Sequence, residues 1–131
     1  SINSSWVIRM QRSRGVKIGE GCHVSPYVLI DLIYPSMINI GNNVTIGSNT
    51  MIFAHYNPTA NALLKEHEYP REVKKVIISD GAVIGPGSII TAGTTVGKNS
   101  IIGAGSVVSN KIPDFSVVVG NPARVIKKIE F

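Results

Sequence analysis

Twelve aliphatic residues stand at a six-residue spacing along this chain. They are Ile18, Val24 and Ile30; Ile40, Ile46 and Ile52; Ile78, Ile84 and Ile90; and Val96, Ile102 and Val108. Glycine follows the aliphatic at Gly19, Gly41, Gly47, Gly85, Gly97 and Gly103, and four positions after it the residue is mostly small, as at Thr50, Ala82, Ser88, Ser100 and Ser106. A period of six is neither the 3.6 of a helix nor the plain alternation of a sandwich strand. It is the signature of a parallel β-helix, all-β, with three short strands and three turns in each coil of eighteen residues. Stacking then places Ile40 under Ile78, Ile46 under Ile84 and Ile52 under Ile90. Turns such as Gly41-Asn42-Asn43 and Gly97-Lys98-Asn99 supply residues that tolerate positive φ.

The period divides the chain. A single domain over 1–131 is expected, with an N-terminal cap at 1–17, coils over 18–112 and a tail over 113–131. Trp6, Val7, Ile8 and Met10 are placed to cover the open apolar end of the first coil, because an end coil otherwise exposes its core. Asp31 to Asn39 interrupts the period. So does a longer segment of about 57–76, rich in charge (Lys65, Glu66, Glu68, Arg71, Glu72, Lys74, Lys75), which leaves the coil and returns before Ile78. Loops of that length in compact folds are commonly functional.

The formal net charge is +5, with a cluster near the C-terminus at Lys111, Arg124, Lys127 and Lys128. That balance suits a phosphate-bearing partner. No zinc-finger spacing, helix-turn-helix or RNA-stacking pattern accompanies it, so no nucleic-acid partner is expected. No apolar run approaches a membrane span and no signal peptide is visible, so a cytoplasmic location is expected. The chain begins with Ser rather than Met, which leaves room for an initiator or a longer segment before it. The single Cys22 has no internal disulfide partner and falls on an inward position.

His55 is the strongest catalytic candidate. It ends the second coil immediately before the long loop, so a rigid scaffold carries an imidazole beside space the loop can cover, and imidazole suits general-base work near neutrality. A histidine on a surface turn is the plain alternative. His23 and His67 lie thirty-two and twelve residues away, without the close pair of a zinc site, so no metal is expected. The glycine turns carry no P-loop or dinucleotide fingerprint, and no Ser or Cys nucleophile stands beside a base, which favours direct transfer over a covalent enzyme intermediate.

Over residues 16–130 the chain resembles the hexapeptide-repeat acyltransferases, in particular the maltose/galactoside O-acetyltransferase-like branch. The resemblance rests on Val83-Ile84-Gly85-Pro86-Gly87-Ser88, on Val96-Gly97-Lys98-Asn99-Ser100 with Ile102-Gly103-Ala104-Gly105-Ser106, and on Gly120-Asn121-Pro122-Ala123-Arg124. It implies a left-handed coil, a homotrimer with active sites between neighbouring chains, and acetyl-CoA as co-substrate. It implies His55 as the base that activates a sugar hydroxyl of a surface polysaccharide or its precursor, with a backbone N–H near Gly85 or its neighbour steadying the oxyanion. Further roles implied are cofactor contacts at Gly85, Ala104, Ser109, Asn110, Arg124 and Lys127, and an acceptor contact at Asp31. An amino-sugar N-acetyltransferase and a non-catalytic β-helix used for assembly are the alternatives; a zinc hydratase of the same fold is a more distant one.

Overall fold

The computed structural model describes residues 4–57 and 59–131; residues 1–3 of the expected cap and Pro58 of the expected loop lie outside them. Most repeats become a two-residue strand whose first side chain faces out and whose second faces in, as Thr45 and Ile46 do. The first coil holds β1 (Lys17–Ile18), β2 (His23–Val24) and β3 (Leu29–Ile30). The second holds β4 (Ile38–Ile40), β5 (Thr45–Ile46) and β6 (Met51–Ile52), and is followed by β7 (His55–Tyr56), α2 (Ala62–Glu66) and β8 (Glu72–Val73). The third holds β9 (Val76–Ile78), β10 (Val83–Ile84) and β11 (Ile89–Ile90), and the fourth β12 (Thr95–Val96), β13 (Ile101–Ile102) and β14 (Val107–Val108). Then come β15 (Lys111–Ile112), β16 (Ser116–Gly120) and β17 (Ala123–Lys128).

Strands stack into three parallel sheets, in the orders β1-β4-β9-β12-β15, β2-β5-β10-β13-β16 and β3-β6-β11-β14, with β17 added antiparallel to β16. The triangular prism is a left-handed parallel β-helix. The expected registers hold: Ile40 pairs with Ile78, Ile46 with Ile84 and Ile52 with Ile90. Eleven of the twelve spaced aliphatics are buried, and Ile18 of the end coil is half-buried. Burying one such side chain is worth about 1.5–3 kcal/mol, so the ladder of isoleucines supplies much of the driving force.

The turns show why the glycines and small residues recur. A Cβ on Gly85 would lie 2.6 Å from the Ala104 backbone nitrogen and 2.7 Å from the Ile102 oxygen, so the coils can close only without one. Asn43 takes φ 57°, which asparagine tolerates best among residues bearing a Cβ. The buried hydroxyls of Ser88 and Ser106 donate to the carbonyls of Gly85 (2.8 Å) and Gly103 (2.7 Å), which closes each corner on itself.

The two ends close the prism in different ways. The N-terminal segment is a helix, α1 (Ser4–Ser13), which covers the first coil with Val7 and Gln11, while Trp6 is 51% exposed. Its Val7 and Gln11 are four residues apart and so share the inward face. Residues 113–120, expected in the tail, instead continue the ladder: Ile102 of β13 pairs in parallel with Val118 of β16, which is fully buried.

Candidate active site

Asp31 and His55 occupy the same corner of successive coils. Asp31 follows β3 directly and His55 opens β7; Ile30 and Ile52 are register partners just before them, and the Asp31 N–H donates to the Ile52 carbonyl at 2.8 Å. Asp31 is completely buried. Its Oδ1 accepts from the N–H groups of Ile33 and Tyr34, both at 2.9 Å. Its Oδ2 accepts from the Ala54 N–H at 2.8 Å and lies 2.6 Å from His55 Nδ1. Burial by itself pushes the Asp31 carboxyl up. The hydrogen bonds from Ala54, Tyr34 and Ile33, with that from His55, outweigh it and hold the pKa below the ordinary carboxylate value.

That electrostatic balance sets the tautomer. An ionised carboxylate can only accept, so His55 Nδ1 carries the proton toward Asp31. In the neutral imidazole, Nε2 is then left with a free lone pair and can take a proton. The His55 side chain is 13% exposed, enough to be reached from one side.

The corner is braced from both directions. Arg14, at the end of the cap, donates to the carbonyls of Ile30 (3.2 Å) and Asp31 (2.7 Å). Tyr34 packs edge-on against the imidazole, with ring centroids 5.3 Å apart at 64°. From the extruded hairpin, Arg71 donates to the Tyr34 hydroxyl at 3.0 Å and lies over its ring at 5.9 Å from the centroid. On the far side of the hairpin, the Tyr56 hydroxyl donates to Glu72 Oε2, and Lys74 pairs with the same carboxylate at 3.6 Å.

The structure brings together Asp31 and His55 and separates the other expected residues. Ser109 and Asn110 are exposed between β14 and β15, at the His55 corner but two coils further along. Gly85 and the exposed Ala104 lie at a different corner, after β10 and β13. Arg124 and Lys127 are exposed on β17, at the edge of the sheet that contains β13. Two expectations meet opposing geometry. Asp31 was expected to touch an acceptor, but its carboxylate is buried behind the imidazole with four donors around it. Gly85 was a candidate oxyanion donor, but its N–H donates to the Ile102 carbonyl at 2.8 Å, because that bond is part of the coil-to-coil ladder. Tyr34, Arg71 and Arg14 belong to the site without having been singled out; the interruption from Asp31 to Asn39 and the charged loop at 57–76 were the signals that covered the first two.

Comparison with known proteins agrees with the fold. Residues 75–110 match the family described as bacterial transferase hexapeptide (six repeats). YvoF of Bacillus subtilis is 35% identical over 111 residues, which are 85% of this chain and 59% of YvoF, so the chain spans less than two thirds of that relative. A maltose O-acetyltransferase from Clostridium difficile 630 has a crystal structure that superposes with a TM-score of 0.74 at 34% identity, covering 97% of this chain and 76% of that one. A galactoside acetyltransferase in complex with coenzyme A superposes with a TM-score of 0.71 at 28% identity, covering 96% and 71%. With the coil and its register in place, these matches establish that the chain belongs to the hexapeptide-repeat family of bacterial transferases.

Proposed function

We propose that the chain transfers acetyl from acetyl-CoA to a hydroxyl of a sugar, with His55 as general base. The observation that carries this reading is the imidazole whose Nδ1 is fixed on a buried carboxylate 2.6 Å away while Nε2 is free. In the reaction, Nε2 takes the hydroxyl proton as the oxygen attacks the thioester carbonyl carbon. The carbon–sulfur bond then breaks and the imidazolium returns the proton to the departing thiolate. Holding both substrates together makes the attack effectively intramolecular. The complexed galactoside enzyme supports coenzyme A as the carrier, and the maltose enzyme supports a sugar acceptor.

The dispersal of Gly85, Ala104, Ser109, Asn110, Arg124 and Lys127 over separate corners supports a site completed by a neighbouring copy, as a homotrimer would provide. Asp31 serves as a positioning residue for His55. The test is thiol release from acetyl-CoA by the purified protein against neutral, acidic and amino sugars. Release that requires an acceptor hydroxyl is expected; release only with amino sugars would move the assignment to N-acetylation, and none with any acceptor would leave an assembly module.

Arg124 and Lys127 are assigned to the phosphates of acetyl-CoA. Converting both to alanine is expected to weaken CoA binding by about tenfold or more, with a shallower dependence of affinity on salt, since charge-assisted phosphate contacts are strong and screened. Calorimetric titration at two ionic strengths reads this, and unchanged affinity would remove the assignment.

A further inference from the structure

We infer that Arg71 selects an acceptor bearing an oxyanion, a carboxylate or a phosphate, close to the hydroxyl that is acetylated. The inference rests on the transferase reading and names the class of its acceptor.

Three observations carry it. First, Arg71 is held at the site rather than projecting from the loop: it donates to the Tyr34 hydroxyl at 3.0 Å and lies over the Tyr34 ring, and that ring meets His55 edge-on. Second, its charge is uncompensated. Among the described residues the ion pairs are Arg12 with Glu20, Lys74 with Glu72, and His55 with Asp31; none includes Arg71. A guanidinium has five N–H donors in a planar fork, and the Tyr34 hydroxyl occupies one of its nitrogens. Third, the two carboxylates shown at this corner, Asp31 and Glu72, are already engaged. Asp31 is buried with both oxygens taken up by four donors, and Glu72 is neutralised by Lys74 and bound by the Tyr56 hydroxyl.

The loop therefore brings to the imidazole corner one fixed, unpaired fork of the kind that grips carboxylate or phosphate in two-point contact. A neutral sugar would leave that charge unused, whereas a uronate or a sugar phosphate would pair with it while presenting a hydroxyl to Nε2. The phosphates of acetyl-CoA are the competing anion. They are separated from the thioester by the whole pantetheine arm, so a group beside the base meets the acceptor instead.

The experiment has two readouts. The first is direct binding: glucuronate, galacturonate and glucose 6-phosphate are titrated against the protein beside glucose and galactose, following the His55 and Tyr34 ring resonances by NMR. A saturable response to the anionic members is expected, weakened at least about tenfold in Arg71→Gln, partly kept in Arg71→Lys, and reduced by salt. No response to any anionic member, or an equal one in Arg71→Gln, would overturn the inference. The second is thiol release with the same acceptors. There the ratio of kcat/KM for anionic over neutral acceptors is expected to fall about tenfold or more in Arg71→Gln, through KM for the acceptor. A change confined to KM for acetyl-CoA would assign Arg71 to the carrier and overturn the inference. Binding without thiol release would count against the transferase reading alone, and release indifferent to charge and to Arg71 would count against this inference alone.

Discussion

His55→Ala is expected to lower acetyl-CoA-dependent turnover by about 10²–10⁴-fold, the usual contribution of a positioned general base. The loss should fall on kcat, because the imidazole acts on the acceptor proton as the thioester is attacked, while the groups assigned to CoA lie on other corners of the coil or, for Ser109 and Asn110, two coils away. The fold should survive. Asp31 keeps three backbone donors, from Ala54, Ile33 and Tyr34, when the imidazole is removed, and the 13% exposure of the histidine lets water enter the space it leaves. The measurement is thiol release under saturating acetyl-CoA, with CoA affinity and thermal unfolding followed in parallel. Full activity in the variant would eliminate His55 as the base. Loss of activity together with loss of CoA binding or of the fold would mean that the histidine is structural.

The core was legible because its period is a property of the chain alone. A residue every six positions must face one axis if strands and turns alternate, and Ile40, Ile46 and Ile52 could be matched to their partners by counting. What counting missed lies where a strand is not two residues long. Ile38 and Val76 are fully buried because β4 and β9 have three residues, so their first and third side chains both point inward. Val118 escapes the count because Ile112 stands only four positions after Val108, which shifts the last coil out of step. At the N-terminus, the buried face of α1 includes the polar Gln11, which an apolar criterion passes over. The site divides in the same way. His55 could be singled out by its place before the loop. The role of Asp31 could not, because the period says which coil corner it occupies but not that its carboxylate turns back to four donors. Arg71 comes from the aperiodic hairpin, whose return over Tyr34 depends on the pairing of β7 with β8.

Asp31→Asn should be the most damaging conservative change in the chain. Oδ1 and Oδ2 each accept from two donors, and an amide can replace only one of them with an acceptor. If the amide nitrogen takes the place of Oδ2, it faces the Ala54 N–H and forces His55 to offer Nδ1 as an acceptor, which moves the ring proton to Nε2 and abolishes the base. If it takes the place of Oδ1, it faces the N–H groups of Ile33 and Tyr34. Each buried donor so left without an acceptor costs about 1–3 kcal/mol. Turnover of the folded protein should drop by up to about 10⁴-fold, the scale set by a wrong tautomer in a carboxylate–histidine pair. A pH series separates this from general instability. The folded-state pKa of Asp31 is depressed, so its contribution to stability is present above the unfolded carboxylate pKa and is lost as pH falls through the folded one. Wild type should therefore lose stability relative to Asp31→Asn only on that acidic limb, and near neutrality the gap between the two should be constant. If Asp31→Asn keeps wild-type turnover at neutral pH, the carboxylate does not set the tautomer and the positioning role is wrong. If the variant is unstable but its folded fraction turns over normally, Asp31 holds the corner and not the imidazole.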